Sequence, residues 1–467
     1  MRNKQFPFWV FTISVLIALV VPVLIEDGMF MDGMLYTCVA KNLSQGIGSF
    51  WLPRFSETLH PLFDQQPPLG FGIMAVFFKL FGTSIYVERF YSFVTLCLGA
   101  FLIAEIWKIF FKGNVEIKKI AWLPVLFWII IPVCFWSYAN NMLECSMVIF
   151  DLLAILFVLK FFENKFVIHL LLAGVFIFLA SLTKGFQGLF PLAAVFFHWL
   201  AFRKISFVKM IRHSLILFAV PAIIYVLLFQ NENAHHGLSA YIHNRVQNSI
   251  SSVSTVDSRF YLIGRLGQEL LPSLALSLVL FFIFRKKKTQ AKNYFRHILF
   301  FLLIGISASF PLIVTLEQRG FYLVTSLPFF GIAIAIICAP YLSPVVEKIN
   351  PSAISFRIFR AFTVLLFVGA LFFSGMQVGK ASRDEEMLHD AYLIGKTIPG
   401  GTLASTTPEL WQIWSLQEYL VRHFNIAIAG QENPDKEFLI SDAPVADTSY
   451  KRINITTAKY HLYKKAK

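Results

Sequence analysis

Charge is in short supply in this chain. Only 15% of its 467 residues are Asp, Glu, Lys or Arg, 57% are hydrophobic, and the mean hydropathy is +0.66. A soluble domain carries about a quarter charged residues, so a water-soluble globular fold is excluded and a polytopic α-helical membrane protein is expected. Cysteine is scarce as well, with five residues. Cys97, Cys134, Cys145 and Cys338 fall in apolar runs and only Cys38 lies outside them, which excludes a disulfide framework. No repeat of fixed period and no low-complexity linker interrupts the apolar part.

What the chain has instead is a series of apolar runs, each near the roughly 20 residues that cross a bilayer. They fall at 6–25, 84–111, 120–139, 145–162, 166–182, 187–202, 214–230, 267–284, 297–316, 321–341 and 359–379, which predicts about eleven transmembrane helices. Basic residues outnumber acidic ones, 41 to 27, for a net charge of +14. Their placement is a topology signal. With the N-terminus cytoplasmic, 21 Lys and Arg fall on inner segments, Arg285, Lys286, Lys287, Lys288 and Lys292 among them, and nine on outer segments before residue 380. The remaining eleven lie in the tail, which an odd number of spans places outside. Nucleic acid is therefore not an expected partner; the lipid bilayer is. The first run follows Arg2 and Lys4 but has no small-residue cleavage site, so a retained span is expected rather than a signal peptide.

Two outer segments stand out from the transmembrane domain, 1–379. The first, 26–82, opens with Glu26 and Asp27 and holds interfacial helices, one of them the apolar stretch after Pro67. The second, 231–264, is long enough to fold over something. From residue 380 the composition turns soluble, and 380–467 is expected as a small α/β domain: a strand at 402–406, a helix at 408–424, strands at 425–429 and 437–441, and a terminal hairpin at 450–464.

Asp32 and Tyr36 are four residues apart and share a helical face with Ala40 and Leu43. A carboxylate on an interfacial helix can serve as a general base with a tunable pKa. The simpler reading is that Asp32 caps a helix over 33–44. Two further acids are candidates: Glu144, read either as a second active carboxylate or as an interfacial residue reaching for water, and Asp151, deeper in the same span, expected to pair with a neighbouring helix.

The pattern Asp32, Tyr36, Ala40, Leu43 and Gly46 resembles the first outer loop of the family 39 glycosyltransferases, which include the protein O-mannosyltransferases and the lipid A aminoarabinose transferases. Gln66-Pro67-Pro68-Leu69, then Thr183-Lys184-Gly185, then Arg319 and Tyr322 with Pro328, are similar to further motifs of that family, in the same order, over residues 1–340. The resemblance implies the C-type glycosyltransferase fold and a polyprenyl-phosphate sugar as donor, with a glycolipid such as lipid A or a protein as acceptor. It implies the outer face of a bacterial inner membrane, with Asp32 as catalytic base and Glu144 assisting. Where the family has Lys before Pro-Pro this chain has Gln66, and Gly33 stands where a second acid often follows the first. The donor phosphate then needs another cation. Arg319 beside Tyr322 is the first candidate, and Lys184, Arg54 and Arg259 are the others; Lys184 could instead reach for water at the end of a span. Tyr36, Pro67 and Pro68 would line the acceptor or lipid site.

His235, His236, Glu317 and His60 raise the question of a metal, but adjacent histidines diverge on helix and strand alike, so structural or solvated roles are expected. No cofactor is required on this reading; a divalent cation is compatible with it but not predicted. Two competing readings are a lipid-linked-sugar transporter or flippase, and a catalytically degenerate relative that binds lipid phosphate.

Overall fold

The computed structural model describes residues 4–251, 253–287, 294–430, 436–445 and 447–466. Arg2, Lys288 and Lys292, counted above among the inner charges, lie outside these. The chain divides into two compact units, Met1–Ile25 with Ser92–Val378, and Glu26–Tyr91 with Gly379–Lys467.

The first unit is helical. Among the described residues nine helices are long and apolar enough to cross a membrane, and a bent pair makes ten. The sequence reading divides 166–202 into two spans; here Val167–Lys184 runs through a 3₁₀ stretch, Gly185–Ala193, into Ala194–Phe202. Leu143–Asn164 and Leu327–Lys348 are buried along most of their length and form the core, whereas Phe207–Leu228, Tyr261–Phe284 and Ile354–Gly375 keep most of their apolar surface exposed. Such faces suit contact with the hydrocarbon of a bilayer. Helix α1 (Phe6–Ile25) packs along Ile354–Gly375, with Phe8 stacked on Trp122 at 4.8 Å between ring centres.

The bent pair, Trp122–Ile129 and Pro132–Ala139, turns by 80°. Pro132 cannot continue a helix and suits the first position of a new one. The break frees the Val133 N–H, which a buried carboxylate takes up: Glu269 accepts it at 2.7 Å and pairs with Arg265 at 2.5 Å. Asp151 behaves differently from expectation, since it is fully buried and neither of its oxygens has a hydrogen-bond partner among the described residues.

The second unit joins residues 26–91 to the tail. Helix α2 (Met31–Ser44) packs on α3 (Leu69–Phe81) and on the helix Trp414–Phe424. Pro68 stands at the start of α3, and Gly82 ends it with φ 79°, a conformation that suits glycine. Helix α4 (Tyr86–Phe110) begins in this unit. The tail forms a five-stranded sheet in the order β2-β1-β3-β5-β4: β1 (Leu403–Thr406) is parallel to β2 (Ala427–Ala429) and β3 (Phe438–Ser441), while β5 (His461–Lys465) is antiparallel to β3 and to β4 (Tyr450–Arg452). The helix expected over 408–424 is interrupted after Trp411, where the Gln417 amide donates to the Trp411 carbonyl, and Glu385–Thr397 is a helix not foreseen.

The unit is held by buried charge. Arg422 donates to both oxygens of Glu88, at 3.2 and 2.7 Å, and to the carbonyls of Thr83 and Ser84; Arg89 meets the same Glu88 at 3.0 Å. Asp390 accepts three backbone N–H groups, from Ala458, Lys459 and Tyr460. Glu88→Gln leaves the Arg422 guanidinium buried without a matching charge, which costs about 3–5 kcal/mol. Thermal unfolding of the full chain, followed by tryptophan fluorescence, should show a correspondingly lower midpoint.

Candidate functional site

In the second unit the residues singled out from sequence group around α2. The helix starts at Met31 with Phe30 before it, so Asp32 lies inside the first turn and is not its cap. A carboxylate there is favoured by the helix dipole. Tyr36, one turn on, is buried, its ring 5.9 Å from Phe71 of α3, which in turn meets Phe63 at 5.4 Å. Pro67 and Pro68 are buried at the entry to α3, and Gln66 is half-buried before them. Arg54 is exposed; its Nε donates to the Pro61 carbonyl, and it lines a cavity of about 290 Å³ with Asn42, Glu57, Thr402 and Asn425. Lys41 donates to the carbonyls of Val421 and Arg422 and to Asn425 Oδ1; burial, with the Arg422 charge adding, lowers its pKa to about 8. His60 packs edge-on against Phe63 and Trp414, and burial lowers its pKa although Asp64 opposes this.

In the first unit, Thr183-Lys184-Gly185 marks the end of Val167–Lys184, and Gly185 takes φ 83° and ψ −154°, which only glycine adopts readily. A Cβ there would collide with the Tyr241 hydroxyl. The turn carries Lys184 inward, where its Nζ lies 2.5 Å from Glu144 Oε1, with both side chains almost wholly buried. Neither residue reaches for water. Lys184 Nζ also lies 5.5 and 5.4 Å from the ring centres of Phe321 and Tyr322, and the Gln187 amide donates to the Tyr322 carbonyl and to Thr325 Oγ1.

Residues 231–251 and 253–264 close on the stretch that bears Arg319. Asn231 caps Glu232–Ala240, and a π-helical turn, Tyr241–Gln247, presents Arg245. Both terminal nitrogens of Arg245 bind the Glu317 carboxylate, Ser249 Oγ donates to it at 2.7 Å, and the Tyr322 hydroxyl faces it at 3.5 Å. Burial acts to raise the Glu317 pKa, but the hydrogen bonds from Arg245 and Ser249 outweigh it and hold the carboxyl below its usual range. Gln318 fastens the segment further, its amide donating to the Arg259 carbonyl; Arg259 is exposed and donates to the Val314 carbonyl. Arg319 is exposed, with its charge acting on Glu317.

The group therefore joins two carboxylates, Glu144 and Glu317, with four cations, Lys184, Arg245, Arg259 and Arg319. Glu144 pairs with Lys184 and Glu317 with Arg245, while neither Arg319 nor Arg259 is in an ion pair among the described residues. Among the described residues no three His, Cys, Asp or Glu side chains gather as a metal site requires. His235 and His236 are exposed on their helix. Sequence reasoning reached Lys184, Glu144, Arg319 and Tyr322 but missed Arg245, Gln187 and Tyr241 as their supports; the close approach demanded at Gly185 is the one local signal that could have pointed to Tyr241.

Gly185→Ala should destabilise the first unit by about 1–3 kcal/mol through backbone strain alone, with more from the clash with Tyr241, read as a lower unfolding midpoint. For the Arg245–Glu317 pair the carboxyl pKa is depressed on folding. Its stabilising contribution is thus present above the ordinary carboxylate range and lost as pH falls through the depressed value. Arg245→Gln should remove this acid-side loss from a plot of unfolding midpoint against pH.

Residues 65–229 match the family model described as dolichyl-phosphate-mannose-protein mannosyltransferase. No curated protein matches the chain by sequence. Among solved structures, ArnT from Cupriavidus metallidurans bound to undecaprenyl phosphate is similar with a TM-score of 0.63 at 14% identity, over 97% of each chain, and its apo state with 0.62. The archaeal oligosaccharyltransferase AglB from Archaeoglobus fulgidus, in complex with an inhibitory peptide and a dolichol-phosphate, gives 0.50 at 14% identity over 94% of this chain and 69% of its own. The resemblance read from the motifs is thus borne out: the chain has the C-type glycosyltransferase fold, with the sequence signature of the dolichyl-phosphate-mannose-protein mannosyltransferases in residues 65–229.

Proposed function

We propose that the chain is an inverting glycosyltransferase that takes a sugar from a polyprenyl-phosphate donor and passes it to a lipid A-like glycolipid or a protein. The reading places this reaction at the outer face of a bacterial inner membrane, with the N-terminus cytoplasmic and the tail periplasmic. The observation that carries it is Asp32, standing in the first turn of α2 in a chain whose fold is shared along 97% of its length with ArnT bound to undecaprenyl phosphate.

In this mechanism Asp32 takes the proton from the acceptor nucleophile as its oxygen attacks the anomeric carbon from the face opposite the phosphate. The bond from that carbon to the phosphate oxygen breaks, its electron pair leaves with the polyprenyl phosphate, and the configuration inverts. The leaving group carries its own phosphate, so no nucleotide diphosphate has to be neutralised by a metal, and no cofactor is needed. Arg319 is the proposed phosphate ligand because it is exposed and in no ion pair among the described residues, with Tyr322 three residues on in the same motif. Lys184 already has Glu144 as its buried counter-charge and is a weaker candidate for the phosphate. Arg259 and Arg54, both exposed, are weaker candidates because each already donates to a backbone carbonyl. Gln66 can offer the phosphate a neutral hydrogen bond in place of the expected Lys, at roughly half the strength of a charged one.

Transfer from a radiolabelled polyprenyl-phosphate sugar to membrane acceptors tests the reading. Asp32→Asn should lose about 10²–10⁴-fold in rate, the usual contribution of a general base, while still binding undecaprenyl phosphate; full retained activity overturns the assignment. Arg319→Gln should weaken donor binding by about 1.5–3 kcal/mol, the worth of a charged hydrogen bond, seen as a raised KM for donor. Binding of polyprenyl phosphate with no transfer by the unaltered protein would favour the degenerate lipid-phosphate-binding alternative.

A further inference from the structure

Within the first unit the helices close around a second cavity, of about 210 Å³, at the end opposite to Glu144 and Lys184. Leu143–Asn164 carries Glu144 in its first turn and Phe162 and Glu163 in its last, so the cavity lies about 30 Å along that helix from Glu144, the thickness of a bilayer core. Four helix ends line it, with Phe110 from α4, Phe162 from Leu143–Asn164, His198 and Phe202 from Ala194–Phe202, and His297 from Phe295–Ser309. His198 is 5% exposed. Its ring lies face to face with Phe162 at 3.4 Å between ring centres and 4.8 Å from Phe202, which in turn meets His297 at 5.4 Å. The Nδ1 atoms of both histidines are buried without a hydrogen-bond partner among the described residues, which is costly and unusual for a polar atom.

The cations of this end stand on the same aromatic rings. Lys165 Nζ lies 5.0 Å from the ring centre of Phe162, and Lys204 Nζ lies 5.5 Å from that of Phe202, so two ammonium groups each stand one ring away from His198. Both lysines are exposed and in no ion pair among the described residues, whereas Lys112 at the same cavity is paired with Glu163. The backbone accepts strain to place basic residues here. Lys165 ends its helix at φ 64° and Arg203 ends Ala194–Phe202 at φ 52°, in the left-handed region where glycine is the usual residue. Arg203 lies over the Trp199 ring at 3.7 Å, and basic and Trp side chains together mark the level of lipid headgroups. A cation at a helix C-terminus also suits the helix dipole, but that accounts for neither Lys204 nor the cavity.

We propose that this cavity holds the phosphate of an acidic phospholipid of the surrounding bilayer, with Lys165 and Lys204 as counter-charges, the His198 ring between them and the acyl chains outside. Ammonium groups only donate hydrogen bonds and an imidazole offers an N–H, which together select an anion rich in acceptor oxygens. The volume is below the roughly 300–1,000 Å³ of sites that enclose a drug-sized ligand, so it admits a headgroup and not a whole lipid. On the orientation proposed above this end faces the cytoplasm, where the leaflet is anionic and basic pockets between transmembrane helices take up lipid headgroups. The site is independent of Asp32 and of the transfer reaction. Inorganic phosphate shares the chemistry of the headgroup, and the test separates the two.

The test titrates phosphatidylglycerol and, separately, phosphatidylcholine into the full-length protein in detergent and counts bound lipid by native mass spectrometry. Three proteins are compared: the unaltered chain, Lys165→Gln with Lys204→Gln, and a control, Lys118→Gln with Lys209→Gln, which removes two exposed cations that do not line the cavity. The unaltered protein should bind phosphatidylglycerol in preference to phosphatidylcholine. Loss of Lys165 and Lys204 should weaken the phosphatidylglycerol affinity about 30-fold, roughly fivefold for each charge near a headgroup, and leave phosphatidylcholine unchanged, while the control keeps the preference. Equal affinity for the two lipids in the unaltered protein overturns the proposal, as does undiminished phosphatidylglycerol binding in the Lys165 and Lys204 variant or an equal loss in the control. Inorganic phosphate in excess should not displace the lipid; if it does, the cavity takes the free ion and the lipid assignment falls. Should the double variant fail to fold, Lys165→Gln and Lys204→Gln are measured singly, each with an expected loss of about fivefold, and no loss in either overturns the proposal.

Discussion

A charge taken out of water must be met by an opposite charge, by a set of N–H donors, or by a proton, and this constraint organises both units. In the first, Lys184 answers Glu144, Arg245 answers Glu317, and Glu269 takes up a backbone N–H that a broken helix sets free. In the second, Arg422 and Arg89 answer Glu88, three backbone amides answer Asp390, and burial pushes the Glu418 carboxyl well above the usual carboxylate range. A chain with so few charged residues places many of them where compensation is compulsory. Such pairs are weak sources of net stability, but each is costly to break, so they fix which segments must lie together.

The same constraint explains why the candidate residues sit at interruptions of regular structure. A helix end leaves backbone groups unsatisfied, and in lipid these are tolerated only where protein supplies partners. The turn at Gly185 does this by admitting the Tyr241 hydroxyl close to its Cα, and it sends Lys184 inward instead of on toward the membrane surface. The π-helical turn at Tyr241–Gln247 and the 3₁₀ stretch Gly320–Thr325 are likewise the places where Arg245, Phe321 and Tyr322 are aimed. Recurrent irregularity of this kind is characteristic of functional segments.

Much of this was legible in the sequence, for definite reasons. Apolar runs are long and a bilayer admits few alternatives, so most spans could be placed to within a few residues; where Val167–Phe202 carries a 3₁₀ stretch in mid-course, run length alone could not tell one element from two. The tail strands could be read because alternation has a short period, whereas Glu385–Thr397, rich in charge and weakly patterned, could not. Asp32 was visible as a carboxylate at helical spacing from Tyr36. Glu418 was invisible as anything but one more acid on an amphipathic helix, because its peculiarity, two buried oxygens with no hydrogen-bond partner among the described residues, is a property of its surroundings.

By itself, then, the sequence determined the membrane class, the run of helices, the α/β tail and the motif residues from Asp32 to Tyr322, since hydrophobic period, turn chemistry and motif order are local properties of a chain. Tertiary structure alone decided which charges are balanced: that Lys184 is matched by Glu144 and Arg245 by Glu317, that Arg422 reaches back 334 positions to Glu88, and that neither Glu418 oxygen has a hydrogen-bond partner among the described residues. Charge compensation is settled by distance in space and by the exclusion of water, and neither can be read from position along the chain.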